Sequence, residues 1–265
     1  MNDVEVARAA AEAGAAVVRG RFGGPHQRLE KGGLDFATDV DVDAERAIIE
    51  VLRRHRPDDP VHAEEGGHTP GADEGRTWLV DPLCGTANFA AGVQAVAVNV
   101  ALAAVDACAA AVANPFSGEV VVAGPGCAHR YTAEGESALI PSADSRLVDL
   151  DLDQRPTLPG FAPLALMADA EFRLAFQPRV TSTSLALAWV ALGRRAAYVT
   201  DGQLEGNVHF AAGVTVCLAA GCVLSDLRGQ PLEPGAPATG MIAAGDAVTH
   251  GRILTIIERL AGAGV

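Results

Sequence analysis

The side chains in this 265-residue chain with the widest chemical range are five cysteines (Cys84, Cys108, Cys127, Cys217 and Cys222) and seven histidines. No two cysteines form a CxxC pair, and their odd number argues against a disulfide framework. Cys108, Cys217 and Cys222 lie in apolar runs and read as core. Cys84 is set differently, in Asp81-Pro-Leu-Cys-Gly-Thr86, directly ahead of a glycine and a threonine. A thiol with an imidazole beside it can act as nucleophile and base. The same pair can instead ligate a soft or borderline divalent ion. His62, His68 and His129 fit no pattern, and Lys31, the only lysine, reads as a solvated loop residue.

The elements that must carry these residues follow from periodicity. Residues 3–21 form an Ala-rich amphipathic helix ending near Gly23-Gly24. A second helix is expected from about Asp43 to Arg54, with Ala44, Ala47, Ile48, Val51 and Leu52 on one face and Asp41 or Asp43 as its cap. Val61 to Glu65 reads as a strand ending in acids, 66–75 as a flexible loop, and Trp78 to Val80 as a strand ending at Asp81. Thr86 reads as a helix cap. Strands follow near 95–105, 108–113, 118–123 and 128–132, with turns at Asp106 and Pro115 to Gly118. Beyond residue 145 the expected order is strand 146–150, helices 162–173 and 183–192, strand 195–199, helix 209–219, strands 222–226 and 240–244, and helix 247–261. This order indicates layered α/β packing, divided into 1–144 and 145–265.

Composition narrows the partners. A formal charge of −13 argues against nucleic acid and anionic membrane surfaces. Ala95 to Ala113 is apolar, but Asn99 and Asp106 interrupt it and its Val/Ala alternation fits buried strands. The N-terminal Asp3, Glu5 and Arg8 do not suit a signal peptide, so a cytoplasmic location is expected.

Several motifs in order resemble the inositol monophosphatase family. They are Lys31 followed by Asp35-Phe-Ala-Thr-Asp-Val-Asp41, then Ala63-Glu-Glu65, then Asp81-Pro-Leu-Cys-Gly-Thr86. Val208-His-Phe-Ala-Ala-Gly213 and Ala219-Ala-Gly-Cys-Val-Leu-Ser-Asp226 complete the series. The resemblance covers nearly the whole chain and implies a layered αβαβα sandwich, with a homodimer expected. It also implies that positions 64, 81, 84 and 209, with the Leu83 carbonyl, hold Mg²⁺ ions that drive phosphate-ester cleavage, and that the Gly85 and Thr86 amides cradle the phosphate. The family writes Asp at the positions of Cys84 and His209. A thiol and an imidazole there remove two hard oxygen donors that Mg²⁺ needs.

Ligands of one ion lie close together, so this fold would bring Cys84 and His209 within reach of each other. The reading ranked first is therefore a cysteine-dependent acyl transfer without a metal, similar to the Dieckmann cyclases of bacterial natural-product pathways. In it Cys84 takes an acyl chain from a carrier-protein thioester and His209 is the base. Asp81 or Glu64 orients the imidazole, and the Gly85 and Thr86 amides form the oxyanion hole. The alternatives are a metal-dependent phosphomonoesterase using Mg²⁺, Mn²⁺ or Zn²⁺, and a non-catalytic relative that binds a phosphorylated ligand.

Overall fold

The computed structural model describes residues 1–33, 35–73, 75–104, 108–153, 162–233 and 237–262. The turn expected at Asp106 lies outside them. The chain folds as two compact units. The first comprises 1–138, 183–185 and 208–216, and the second comprises 139–182, 186–207 and 217–265.

The first unit opens with α1 (Asp3–Arg21), closed at its start by a reciprocal cap between Asn2 and Glu5. Val6, Ala7, Ala10, Ala11, Gly14, Ala15 and Val18 form its buried face. A hairpin of β1 (Arg28–Gly32) and β2 (Asp35–Thr38) follows, then α2 (Asp39–His55). This helix starts earlier than the apolar pattern suggests. Thr38, not Asp41 or Asp43, is its cap, and Asp41 Oδ2 in return accepts a hydrogen bond from the Thr38 amide at 2.8 Å. A β-carbon at Gly14 would lie 2.7 Å from the Ile48 side chain, so the missing side chain is what lets α1 approach α2.

Both helices pack on an eight-stranded sheet. Its strands are β3 (Val61–Ala63), β4 (Gly67–Thr69), β5 (Arg76–Cys84), β6 (Ala97–Ala104), β7 (Cys108–Ala113), β8 (Val120–Gly124), β9 (Cys127–Thr132) and β10 (Gly135–Ala138). The order is β10-β9-β8-β7-β6-β5-β3-β4, antiparallel except where β3 runs parallel to β5. The expected loop at 66–75 therefore contains an edge strand. A short helix, α3 (Thr86–Ala90), follows β5.

The second unit holds a five-stranded sheet in the order β12-β11-β13-β15-β14. Its strands are β11 (Leu147–Leu150), β12 (Gln177–Val180), β13 (Ala197–Gln203), β14 (Val223–Ser225) and β15 (Thr239–Ala244). Helices α4 (Ala162–Ala168), α5 (Ala170–Ala175) and α8 (Ala247–Gly262) accompany it. Leu166, Phe172, Ile253 and Ile256 seal its core against Val148, Val199 and Ile242. The single helix expected over 162–173 is two, because Asp169 stops α4 and caps α5 through the Phe172 amide. Two further helices, α6 (Leu185–Ala191) and α7 (Val208–Ala220), begin on residues of the first unit. Mixed α/β architecture agrees with the sequence. Among the described residues no helix is long and apolar enough to cross a membrane.

Candidate active site

Asp81 and Cys84 both lie on β5, three residues apart, a spacing that in a regular strand sends side chains to opposite faces. The pairing with β6 explains why they meet. Asp81 is opposite Asn99 and Cys84 is opposite Ala97, so three steps on β5 match two on β6. The extra residue is a bulge, and it turns the Cys84 side chain onto the Asp81 side. Pro82, which cannot donate to a ladder, and buried Leu83 occupy it. The Leu83 amide bonds Asp81 Oδ1 at 3.2 Å. Gly85 then takes φ 101°, a left-handed turn suited to glycine, and α3 begins with no side-chain cap.

His209, at the start of α7, completes the group. Its Nδ1 is 2.7 Å from Asp81 Oδ2 and its Nε2 is 4.0 Å from Glu64 Oε1. It is also hydrogen-bonded to the Cys84 sulfur. One carboxylate oxygen of Asp81, Cys84 Sγ and one ring nitrogen of His209 all lie within 4.8 Å of one another. Glu64 is placed where the chain leaves β3, through its amide bond to the Val80 carbonyl at 3.0 Å. Thus Cys84, His209, Asp81 and Glu64 converge, with Gly85 and Thr86 at the adjoining turn.

The charges are tightly balanced. Asp81 is fully buried, which alone would raise its pKa, but His209 outweighs burial and holds the carboxyl below its usual range. Burial likewise opposes protonation of His209, yet Asp81 pushes it up to about 12. Glu64 is raised to about 8, by burial first and then by the Asp81 charge. The Cys84 thiol is raised, by burial first and then by Asp81, with His209 only partly offsetting both. The expectation of a thiol acidified by a helix start and an imidazolium is therefore corrected. Asp81 takes up the imidazolium's charge, and the thiol keeps its proton.

Lys31 is not a solvated loop residue. It lies on β1 and binds Glu64 Oε1 at 2.9 Å and Glu65 Oε1 at 2.7 Å. Thr86 does not cap α3. Its hydroxyl meets buried Asp41 Oδ1 at 2.8 Å and the Leu83 carbonyl at 3.1 Å. Sequence reasoning missed Asn99 as a member of this cluster, and it offered the hydroxyls of Thr181-Ser-Thr-Ser184 only as helix caps or pocket lining. Asn99 Nδ2 is 3.2 Å from Asp81 Oδ2, and the Ser184 amide is 3.1 Å from Cys84 Sγ. The available signal for Asn99 was a polar residue inside an apolar strand run. Of the unassigned histidines, His129 pairs with Glu136 at 2.6 Å, and His62 stands opposite His68 across β3 and β4.

Comparison with known proteins agrees with this architecture. A sequence model described as "Inositol monophosphatase family" matches residues 2–261. A "Probable inositol 1-monophosphatase ImpA" from Mycobacterium tuberculosis is 32% identical over 255 residues, covering 86% of this chain and 84% of that protein. A "Nus factor SuhB" from Pseudomonas aeruginosa is 32% identical over 249 residues, covering 86% and 85%. The solved extragenic suppressor protein suhB from Bartonella henselae superimposes with a TM-score of 0.82 at 24% identity, covering 96% of this chain and 98% of that one.

These relatives overturn the first-ranked expectation of acyl transfer on a carrier-bound thioester, because they point to phosphatase chemistry. The expectation of no cofactor falls with it, since members of this family depend on a metal. With a match spanning almost its whole length and the fold in agreement, the chain belongs to the inositol monophosphatase family.

Proposed function

We propose that this protein is a metal-dependent phosphomonoesterase acting on small sugar or inositol phosphates. The observation that carries the reading is the convergence of Asp81, Cys84 and His209 donor atoms within 4.8 Å, in a chain of this family. By the resemblance Cys84 and His209 stand where the family motif writes Asp, so an ion here would be held by sulfur, nitrogen and oxygen together.

The residues fit a divalent ion. Glu64 Oε2 is buried and has no hydrogen-bond partner among the described residues. Burial first, and then the Asp81 charge, push Glu64 up to about 8, and added positive charge would favour its ionised form. Asp81, Cys84 and His209 would hold the ion, with Glu64 at its side. One soft and one borderline donor favour zinc-class ions over Mg²⁺. When bound, such an ion supplies charge that draws in the phosphate and offsets charge developing on its oxygens.

The chain's own residues do the rest. The Thr86 hydroxyl proton is directed at Asp41 and the Leu83 carbonyl, so its oxygen is left to accept. It therefore orients a water, and passes a proton towards Asp41, whose burial raises its pKa. The water oxygen bonds to phosphorus, the ester P–O bond breaks, and the departing alkoxide takes a proton from solvent, which balances the one passed towards Asp41. The uncapped start of α3, at Gly85 and Thr86, offers amides to the phosphate oxygens.

The test is phosphate release from inositol monophosphate by chelated protein reloaded with Mg²⁺, Mn²⁺ or Zn²⁺. Activity should return with one of these ions and disappear in His209→Ala. Absence of phosphate release with all three would refute the reading.

A further inference from the structure

Resting on this reading of the metal centre, we infer that Asn99 and Ser184 are positioning residues that hold the sulfur and carboxylate donors in place. Neither is among the ion's ligands. Asn99 is completely buried on β6, directly opposite Asp81. Its Nδ2 is 3.2 Å from Asp81 Oδ2 and 2.7 Å from Ser184 Oγ. The Ser184 hydroxyl in turn donates to Asn99 Oδ1 at 3.0 Å.

Ser184 is 4% exposed, and its amide donates to Cys84 Sγ at 3.1 Å. Its neighbour Thr183 turns its hydroxyl to the Cys84 carbonyl at 3.4 Å. A continuous path therefore runs from Asp81 through the Asn99 carboxamide and the Ser184 hydroxyl to the Ser184 amide and the Cys84 sulfur. Two ligand residues on one bulged strand are tied together through an amide and a hydroxyl from two other segments.

The arrangement suits sulfur in particular. Once a bound ion has displaced the thiol proton, the Ser184 N–H directed at the sulfur would fix its lone pairs and share its negative charge. Buried polar residues in a strand of alanine and valine are costly unless bonded. The Asn99 carboxamide bonds both Asp81 and Ser184, which offsets that cost and links the two.

The experiment uses Co²⁺ as the probe, bound to chelated full-length protein. Wild type should show a sulfur-to-cobalt charge-transfer band that vanishes in Cys84→Ser. Ser184→Ala keeps the amide but loses the hydroxyl link, and Asn99→Ser shortens the carboxamide. Both should shift or weaken the band and loosen Co²⁺ about 10- to 100-fold, the usual effect of removing a group that orients a ligand. Ser184→Thr keeps both groups and should restore wild-type values. Circular dichroism of the metal-free variants separates misfolding from a local effect. If Asn99→Ser does not fold, Ser184→Ala decides alone. Wild-type band and affinity in Ser184→Ala would overturn the inference while leaving the metal centre intact. Absence of any sulfur band in wild type would instead remove the metal-thiolate reading on which it rests.

Discussion

Asp81 Oδ2 and His209 Nδ1 lie 2.7 Å apart, and this contact sets the charge of the site. Asp81 is what holds the imidazole up at about 12. In metal-free Asp81→Asn, His209 should fall by several pH units towards the ordinary histidine range, a loss in keeping with removal of a buried opposite charge. Nitrogen chemical shifts of the imidazole followed against pH measure it. A titration unchanged from wild type would disprove the role assigned to Asp81.

Replacing Cys84 by Asp returns a hard oxygen donor without altering the strand. The Mg²⁺ concentration needed for half-maximal phosphate release should drop at least about tenfold, because Mg²⁺ strongly prefers oxygen ligands. Activity measured across a magnesium series, with and without zinc, checks this.

Lys31 bridges the half-buried carboxyl groups of Glu64 and Glu65. Side-chain exposures of 26% for Lys31, 18% for Glu64 and 9% for Glu65 place these pairs between surface and core. Lys31→Met should cost about 1–2 kcal/mol, less than breaking a fully buried pair and more than a surface one. Urea unfolding of the metal-free protein gives the value.

The α1–α2 contact can be tested by volume. Gly14→Ala should destabilise by about 1–3 kcal/mol, the range for overpacking a filled core. Ile48→Val placed on the same background should recover part of the loss, since Ile48 Cδ1 and Cγ1 lie 2.7 and 2.8 Å from the added carbon. Thermal melts of the two variants compare them.

His250 gives a pH dependence that does not involve the Asp81–His209 pair. It lies on α8, with Nε2 2.8 Å from Ser225 Oγ, and burial lowers its pKa from the ordinary 6.5. Above 6.5 both folded and unfolded chains are neutral there, and nothing is lost. As pH falls below 6.5 the unfolded chain takes the proton first, so stability declines until the folded value is passed. His250→Gln should flatten this decline. Melting temperatures taken between about pH 5 and 7 decide the matter.

Much of the fold was legible because periodicity and burial coincide. Val6, Ala10 and Val18 announced α1, and the alternating runs around Val98 and Ala111 announced β6 and β7. The hairpin of β1 and β2 was not legible, since its Arg28-Leu-Glu-Lys-Gly32 strand is exposed throughout and carries no alternation. The convergence of Cys84 and His209 was visible only through family motifs. Their ionisation was not, because it depends on the Asp81 contact and on burial, neither of which spacing records. Acyl transfer was inferred from Cys84 and His209 standing together within the family motifs and from a resemblance to cyclases, and the relatives' chemistry displaced it.

The bulge at Pro82 and Leu83 carries a last implication. Because one surplus residue decides which way position 84 faces, deleting either member would swing the sulfur to the opposite face of the sheet and part it from Asp81 in a single step. Exchanging the side chain at 84 leaves the backbone path as it is. The side chain at 84 can therefore be exchanged on one backbone path, while a change of chain length between 81 and 84 redirects whatever side chain stands there.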